Sequence, residues 1–267
     1  MKKIDNGLFI SRSLVYGGTM KKIILCLFTV LAVAVSVSAA PIAFMGEDLN
    51  TGESTRLASH PNADAARAAF LSNLIGVGTE DFESYADGTP LPLAISFPGS
   101  SGSITATLTS SSSEPNIMEL TGTGTFAGRY PTSGDNYLAQ VNASNDISAL
   151  TITFSSAVAA FGFYGTDFGD FNGVTELLLS TGTTVSIGNS TGIAGAATLF
   201  FGVIDQGNPF TSVTFRNTYP AGGDYFGFDD MTIGDVEQVN LVPEPASLLL
   251  LGTGLSIFGL AAWKRRK

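Results

Sequence analysis

The residues best equipped for chemistry in this sequence are acids. Glu80, Asp81 and Glu83 stand at the head of a long run of strand-like sequence, and Asp229 and Asp230 stand near its close. Asp167 and Asp170 fall in a third place, the loop Asp167-Phe168-Gly169-Asp170-Phe171-Asn172-Gly173. Carboxylates in such number suit two chemistries. Paired across a cleft they can serve as acid and base or nucleophile in glycoside hydrolysis; gathered around one point they can supply the oxygen ligands of a hard cation such as calcium. The charge balance favours calcium: residues 40–242 hold four basic residues against 21 acidic ones, a formal charge of −17, and no Lys. If the first and last strands of the body pair, Glu80, Asp81 and Glu83 meet Asp229 and Asp230. Strand alternation would then point Asp229 and Asp230 to opposite faces, leaving one of them to turn inward. The 167–173 loop lacks the spacing of a helix-loop-helix calcium site, because no Glu closes a twelve-residue loop. A structural calcium ion is the only cofactor that the ligand supply suggests; solvated acidity that keeps a protein soluble is the alternative.

Other chemistries lack their residues. The only Cys is Cys26 and the only His is His60, so disulfide frameworks and thiol catalysis have no thiol in the body and a His-rich metal site would have a single imidazole. A Ser-His-Asp system would have to use His60, which stands in a polar stretch and reads as a solvated loop residue. Asp167-Phe168-Gly169 spells a kinase tripeptide without the Gly-rich loop, strand Lys or catalytic loop that give it meaning. Nucleic acid is excluded as a partner: arginines and lysines must replace counterions on phosphates, and this body would repel them.

The elements that would position these acids are mostly strands. Short apolar runs separated by Gly, Ser, Thr, Asn, Asp and Pro begin near Thr79, with alternation clearest at 150–154 and 212–216. Further strands are expected at 80–85, 103–109, 116–120, 137–141, 158–164, 175–180, 183–187, 198–204 and 226–233, about eleven in all. That pattern, with no helical periods between the strands, predicts a mostly β fold, an antiparallel β-sandwich of jelly-roll-like type. One amphipathic helix precedes it, starting near Pro61 with Asn62 as its N-cap and with Ala63, Ala66, Phe70 and Leu74 on the face that docks against a sheet. Phe-Gly-Phe at 161–163 and 226–228 reads as close packing rather than as a repeat. Residues 98–113, rich in Ser, Thr and Gly, read as loop or linker able to carry O-linked sugars. Aromatic faces for sugar stacking are offered by Tyr130, Tyr137, Tyr164, Phe168, Phe171, Tyr219 and Tyr225, although the body has no Trp.

Both ends read as addresses. From Met20, Lys21 and Lys22 precede an apolar stretch to about Val37 and then small residues, the pattern of a secretory signal peptide cut after Ala39, with Ala40 as the next site. Met20 is then the expected start, and residues 1–19 a mis-assigned extension. At the other end Pro243-Glu244-Pro245 precedes an uncharged run over 246–263 and the cluster Trp263, Lys264, Arg265, Arg266 and Lys267. Eighteen helical residues at 1.5 Å each span roughly 27 Å, close to a bilayer core of about 30 Å. Trp263 marks the interface and the cations hold the cytoplasmic side, so the body faces outward.

The tail resembles the PEP-CTERM sorting signal, on Pro243-Glu244-Pro245, the glycine-containing apolar run and the terminal Trp-Lys-Arg-Arg-Lys. What the resemblance implies is recognition by an exosortase, a membrane-embedded transpeptidase-like enzyme of Gram-negative bacteria that make exopolysaccharide. The body is similar, more loosely, to ectodomains carried by such cargo, with Thr79-Glu80-Asp81-Phe82-Glu83 opening the first strand and Phe226-Gly227-Phe228-Asp229-Asp230-Met231 closing the last. The expected organisation is signal peptide 20–39, lead segment with short helix 40–78, β-sandwich 79–236, linker 237–242 and sorting and anchor segment 243–267. The expected function is that of a non-catalytic protein of the cell surface or extracellular matrix. Its partners would be the secretion machinery, signal peptidase, exosortase, the inner membrane before processing, and exopolysaccharide. An extracytoplasmic glycoside hydrolase using paired carboxylates is the alternative.

Overall fold

The computed structural model describes residues 40–111, 115–140, 150–168, 173–192, 195–217 and 225–240. Among these the elements run β1 (Ile42–Asp48), α1 (Pro61–Leu71), β2 (Gly78–Glu80), β3 (Leu93–Gly99), β4 (Gly102–Ser110), β5 (Asn116–Glu119) and β6 (Asn136–Gln140). They continue β7 (Leu150–Val158), β8 (Ala160–Thr166), β9 (Thr175–Leu179), β10 (Thr184–Ser186), β11 (Thr198–Ile204), β12 (Phe210–Asn217) and β13 (Phe226–Gly234), followed by a 3-10 turn at Val236–Gln238. The strands form two antiparallel sheets. Sheet I has the order β1-β11-β8-β13-β6-β5, with β2 also paired to β13; sheet II has the order β10-β9-β12-β7-β4-β3.

The two sheets bury their apolar residues differently. In sheet II, β3, β4, β7 and β9 alternate buried and exposed positions, because one face meets the core and the other meets solvent. In sheet I the central strands β8, β11 and β13 are buried at every position. Their inner face meets sheet II and their outer face is covered in part by α1. The main core lies between the sheets and is built from phenylalanines: Phe163 stacks on Phe228 with ring centroids 4.9 Å apart and meets Phe215 edge-on at 5.2 Å. Each fully buried Phe contributes roughly 1.5–3 kcal/mol, so a body with no thiol is held by aromatic burial.

A second, smaller cluster fixes α1 to the outer face of sheet I. Phe70 is its centre, fully buried between Phe44 and Phe200. Beneath its ring lie Gly162 and Gly202, opposite each other on β8 and β11. A Cβ on Gly162 would stand 2.8 Å from Phe70 Cε1, and one on Gly202 would stand 2.6 Å from Phe70 Cδ2. The glycine of Phe161-Gly162-Phe163 is therefore the seat of a helix side chain. The helix starts differently from expectation. His60 is the N-cap, Pro61 occupies the first turn, and Asp48 at the end of β1 accepts from the N–H groups of Asn62 and Ala63 at 3.0 and 2.9 Å. Asn62 is thus inside the helix, and an acid 14 and 15 residues earlier satisfies the two open donors. The helix ends at Leu71; Leu74, beyond it, forms an isolated bridge with Val239.

Three further expectations change. β1 and β3 are strands that alternation did not reveal, and β1 places the start of the lead segment at the edge of sheet I. The stretch read as a linker from Pro98 onward is instead the β3–β4 hairpin, in which Pro98 opposes Ser103 and Gly99 opposes Gly102. Pro98 is tolerated because β3 is an edge strand and needs no donor on its open side. The first strand of the pair with β13 stops at Glu80, and Phe82 takes a positive φ of 61° to bury its ring.

Candidate functional site

β2 pairs with β13, with Glu80 opposite Met231 and Thr79 opposite Thr232. The acids at the two ends of the body therefore lie on neighbouring strands. Alternation does not govern Asp229 and Asp230, however. The register between β13 and β8 shifts between Asp229 and Thr232, and Asp230 has φ 48°, so the strand bulges there. Both acids end up buried, 1% and 9% exposed, and both reach the loop before β6. Asp229 Oδ2 accepts from Thr132 N at 2.7 Å, Thr132 Oγ1 at 2.9 Å and Ser133 N at 3.1 Å, and its Oδ1 accepts from Asp230 N at 2.8 Å. Asp230 Oδ1 accepts from Ser133 Oγ at 3.1 Å.

The same loop is held from its other side. Glu83 Oε1 accepts from Asp135 N at 2.9 Å and Asn136 N at 2.6 Å, and its carboxyl lies over Gly134, where φ is 57° and a Cβ would collide with it. Asp81 Oδ1 accepts from Glu83 N, and Glu80 Oε1 from Phe82 N. These acids thus act as local clamps that satisfy backbone donors. Burial raises Asp229 well above the ordinary carboxylate range, and the charge of Asp230 raises it further, against the hydrogen bonds from Ser133 and Thr132. Burial also raises Asp230, opposed by the Arg67 guanidinium, and raises Glu80.

A calcium shell needs several oxygens turned to one point and free of donors. Asp229 Oδ2 and Glu83 Oε1 are instead occupied by three and two donors. Among the described residues no three His, Cys, Asp or Glu are grouped as metal ligands would be. Asp167, buried with φ 68°, lies by Gly128, apart from this set. Asp170 lies outside the described residues.

His60 stands just before α1 as its N-cap, and its side chain is half-buried rather than solvated. Its Nδ1 is 2.9 Å from Asp64 Oδ1, and its ring meets the edge of Tyr164. The Tyr164 hydroxyl donates to the same Asp64 oxygen at 2.6 Å, and burial together with that bond raises its pKa. Arg67 lies over the Tyr164 ring at 5.8 Å.

The aromatic residues are placed otherwise than the sequence suggests. Tyr130, Tyr137, Tyr164 and Phe168 are all buried, and burial pushes Tyr137 up to about 12. The tyrosine hydroxyls find internal partners: Tyr130 donates to Ala196 O at 3.1 Å and Tyr137 donates to Met118 Sδ at 3.0 Å. Of the seven candidates Tyr225 is exposed, while Phe171 and Tyr219 lie outside the described residues. The Arg129 guanidinium carbon lies over the rings of both Tyr225 and Phe126, 5.5 and 5.0 Å from their centroids. Phe126, which is not among the seven aromatic candidates, is 50% exposed. The available signal was its place beside Gly128, in a turn with positive φ at Ala127 and Gly128 that joins Phe126 to Arg129 in an isolated bridge.

The chain leaves β13 through a capping box: Asp235 Oδ1 accepts from Gln238 N, and Gln238 Oε1 accepts from Asp235 N. Asn240 N then donates to Asn73 O at 2.8 Å. At the next residue a recognisable signal begins. Residues 241–267 match the PEP-CTERM protein-sorting motif, so the chain carries a sorting tail directly behind a folded body. Within it lie Pro243, Glu244, Pro245, Trp263, Lys264, Arg265, Arg266 and Lys267, which, like Ala39 and the leader, are outside the described residues; Ala40 is the first described. Among the described residues no helix is long and apolar enough to cross a membrane. No curated protein matches the chain. Among solved structures, the K2 cleaved adhesin domain of Lys-gingipain is similar at 12% identity and a TM-score of 0.35, over 59% of this chain and 97% of that one.

Proposed function

We propose that this protein is exported, held at the inner membrane by its tail with the body facing the periplasm, processed by an exosortase, and delivered to the cell surface or extracellular matrix as a non-catalytic component. The observation that carries the reading is the sorting motif at 241–267. The leader pattern over 20–39, with cleavage by signal peptidase after Ala39 or Ala40, and the cations at 264–267 support the same route.

The body supports a passenger role. A glycosidase needs two carboxylates open to a shared cleft. Here Asp229 and Glu83 spend their oxygens on the 132–136 loop, and the bulge that buries Asp230 serves the same contact. Exopolysaccharide is the partner we assign to the exposed pair Phe126 and Tyr225, whose rings both pack on the buried Arg129 guanidinium and leave about half of their surface open to sugar rings. At −17 over 40–242 the body suits an uncharged glycan better than an acidic one.

Intact-mass analysis of protein isolated from the host surface tests the route. A mature species that starts at residue 40 or 41 and lacks the residues after the proline-glutamate-proline motif is expected. A surface species that keeps Trp263 and the terminal cations would refute processing.

A further inference from the structure

Strand register shows which chain ends lie together. Ile42 opposes Ile204, Ile204 opposes Ala160, and Ala160 opposes Gly234. The start of β1 and the end of β13 therefore lie at one end of sheet I, and the first and last described residues, Ala40 and Asn240, leave the body there. That end is tightly fastened. Asn240 N donates to Asn73 O, Ile75 N donates to Gln238 O at 2.9 Å, and Gln238 Nε2 donates to Gly76 O at 2.8 Å and Pro98 O at 3.2 Å.

The chemistry of this end differs from that of the body as a whole. It is made of residues 40–42, 72–77, 98–102, 158–160, 204–210 and 234–240, which contain no Lys or Arg and three acids. Asp205 and Asp235 are buried, 2% and 9% exposed, with Asp235 closing the cap and accepting from Ser100 N; Glu237 is the one exposed carboxylate. Two large apolar side chains are open to solvent here, Ile42 at 37% and Ile75 at 59%.

The tether is short. The apolar run at 246–263 begins six residues after Asn240. At about 3.5 Å per extended residue, Asn240 is held within roughly 21 Å of the first residue of that run. The headgroup layer on each side of the hydrocarbon is itself roughly 5–8 Å thick. A folded body fastened at Asn240 must therefore stand at the lipid surface, with this end toward it, for as long as the tail spans the bilayer.

We propose that the end of the body bearing Ile42, Ile75 and Asn240 is a docking surface for the lipid bilayer, in which the two isoleucines enter the headgroup boundary while the tail is uncut. This rests on the reading of the tail as a membrane span. The near absence of exposed carboxylates at this end avoids repulsion from anionic headgroups, which the rest of an acidic body would suffer. The arrangement also orients the passenger. Phe126, Arg129 and Tyr225 lie by Phe226 and Thr166, at the other end of the strands, and so face away from the membrane. Cutting the tail removes the tether and frees the body.

The test uses the chain from Ala40 to Lys267 in vesicles of three parts phosphatidylethanolamine to one part phosphatidylglycerol. It contains no thiol, since Cys26 is upstream, and a single Trp, Trp263. Ile75→Cys, Ile42→Cys and, at the other end of β1, Leu49→Cys each carry a small fluorophore, and nitroxide-bearing lipid is the quencher. Trp263 emission reports the tail independently. With Trp263 in lipid, quenching at positions 75 and 42 at least three-fold above that at 49 is expected, and Ile75→Glu should lower it at 42. Equal quenching at all three positions with Trp263 inserted overturns the docking surface while leaving the anchor intact. Quenching at 75 that appears only when the sorting enzyme is added assigns this end to the enzyme and also overturns it. A solvent-exposed Trp263 overturns the anchor reading and this inference with it.

Discussion

Gly202→Ala places a methyl group where the structure has a phenylalanine ring. The new Cβ would stand 2.6 Å from Phe70 Cδ2, 2.9 Å from Phe70 Cγ and 3.1 Å from Phe200 Cε1. Phe70 has no room to yield, being fully buried against Phe44 and Phe200 at centroid distances of 5.7 and 5.6 Å. Overpacking of this kind costs about 1–3 kcal/mol. Phe70→Ala opens a cavity at the same place and costs about 3–5 kcal/mol. The two changes share one space, so the double variant should be less destabilised than their sum by about 1–3 kcal/mol. Urea denaturation of the chain from Ala40 to Lys267 in micelles measures all three. Strict additivity would mean that Phe70 does not sit on the Gly162–Gly202 pair.

Three further outcomes follow from the geometry. Asp229 and Asp230 bind protons more tightly folded than unfolded, so their contribution to stability is full below the ordinary carboxylate range. It is lost as pH rises toward the folded value, about 8 for Asp229. The unfolding free energy from urea titration should therefore fall between pH 5 and pH 8, by up to about 1.4 kcal/mol per pH unit for each extra proton bound, and Asp230→Asn should flatten the slope. Asp48→Ala removes the acceptor of two helix N–H groups and should cost about 1–2 kcal/mol, measured as a lower melting temperature; an unchanged value would show that water caps α1 equally well. Replacing Phe126 and Tyr225 together by Ala should reduce co-sedimentation with exopolysaccharide from the host without a comparable loss of stability, since both rings are about half exposed; undiminished binding would place the glycan elsewhere.

Alternation made most of sheet II legible, because strands such as β7 show one face to solvent. Short apolar runs, not alternation, located β8, β11 and β13, since these strands are buried on both faces. β1 escaped because it is a half-exposed edge strand that ends in Glu47 and Asp48, and those acids have structural work: Glu47 accepts from Ser190 N and Oγ, and Asp48 caps α1. β3 escaped because Pro98 and its glycines read as loop. The bulge at Asp229 and Asp230 has no local signature, so the pairing of β2 with β13 could be anticipated but the joint burial of both acids could not. Tyrosines near turns read as exposed, and their burial depends on partners distant in sequence, such as Thr198 for Tyr130 and Asp64 for Tyr164. The sorting tail was legible outright, because its meaning lies in the order of its parts and not in a fold.

The claim on which the account depends is that the tail is a substrate for sorting. Changing Pro243, Glu244 and Pro245 together to Ala in the native host, then following protein size and fractionation by immunoblot, tests it directly. The account predicts a full-length form retained in the inner membrane; a product of unchanged size in the unchanged surface fraction would contradict it.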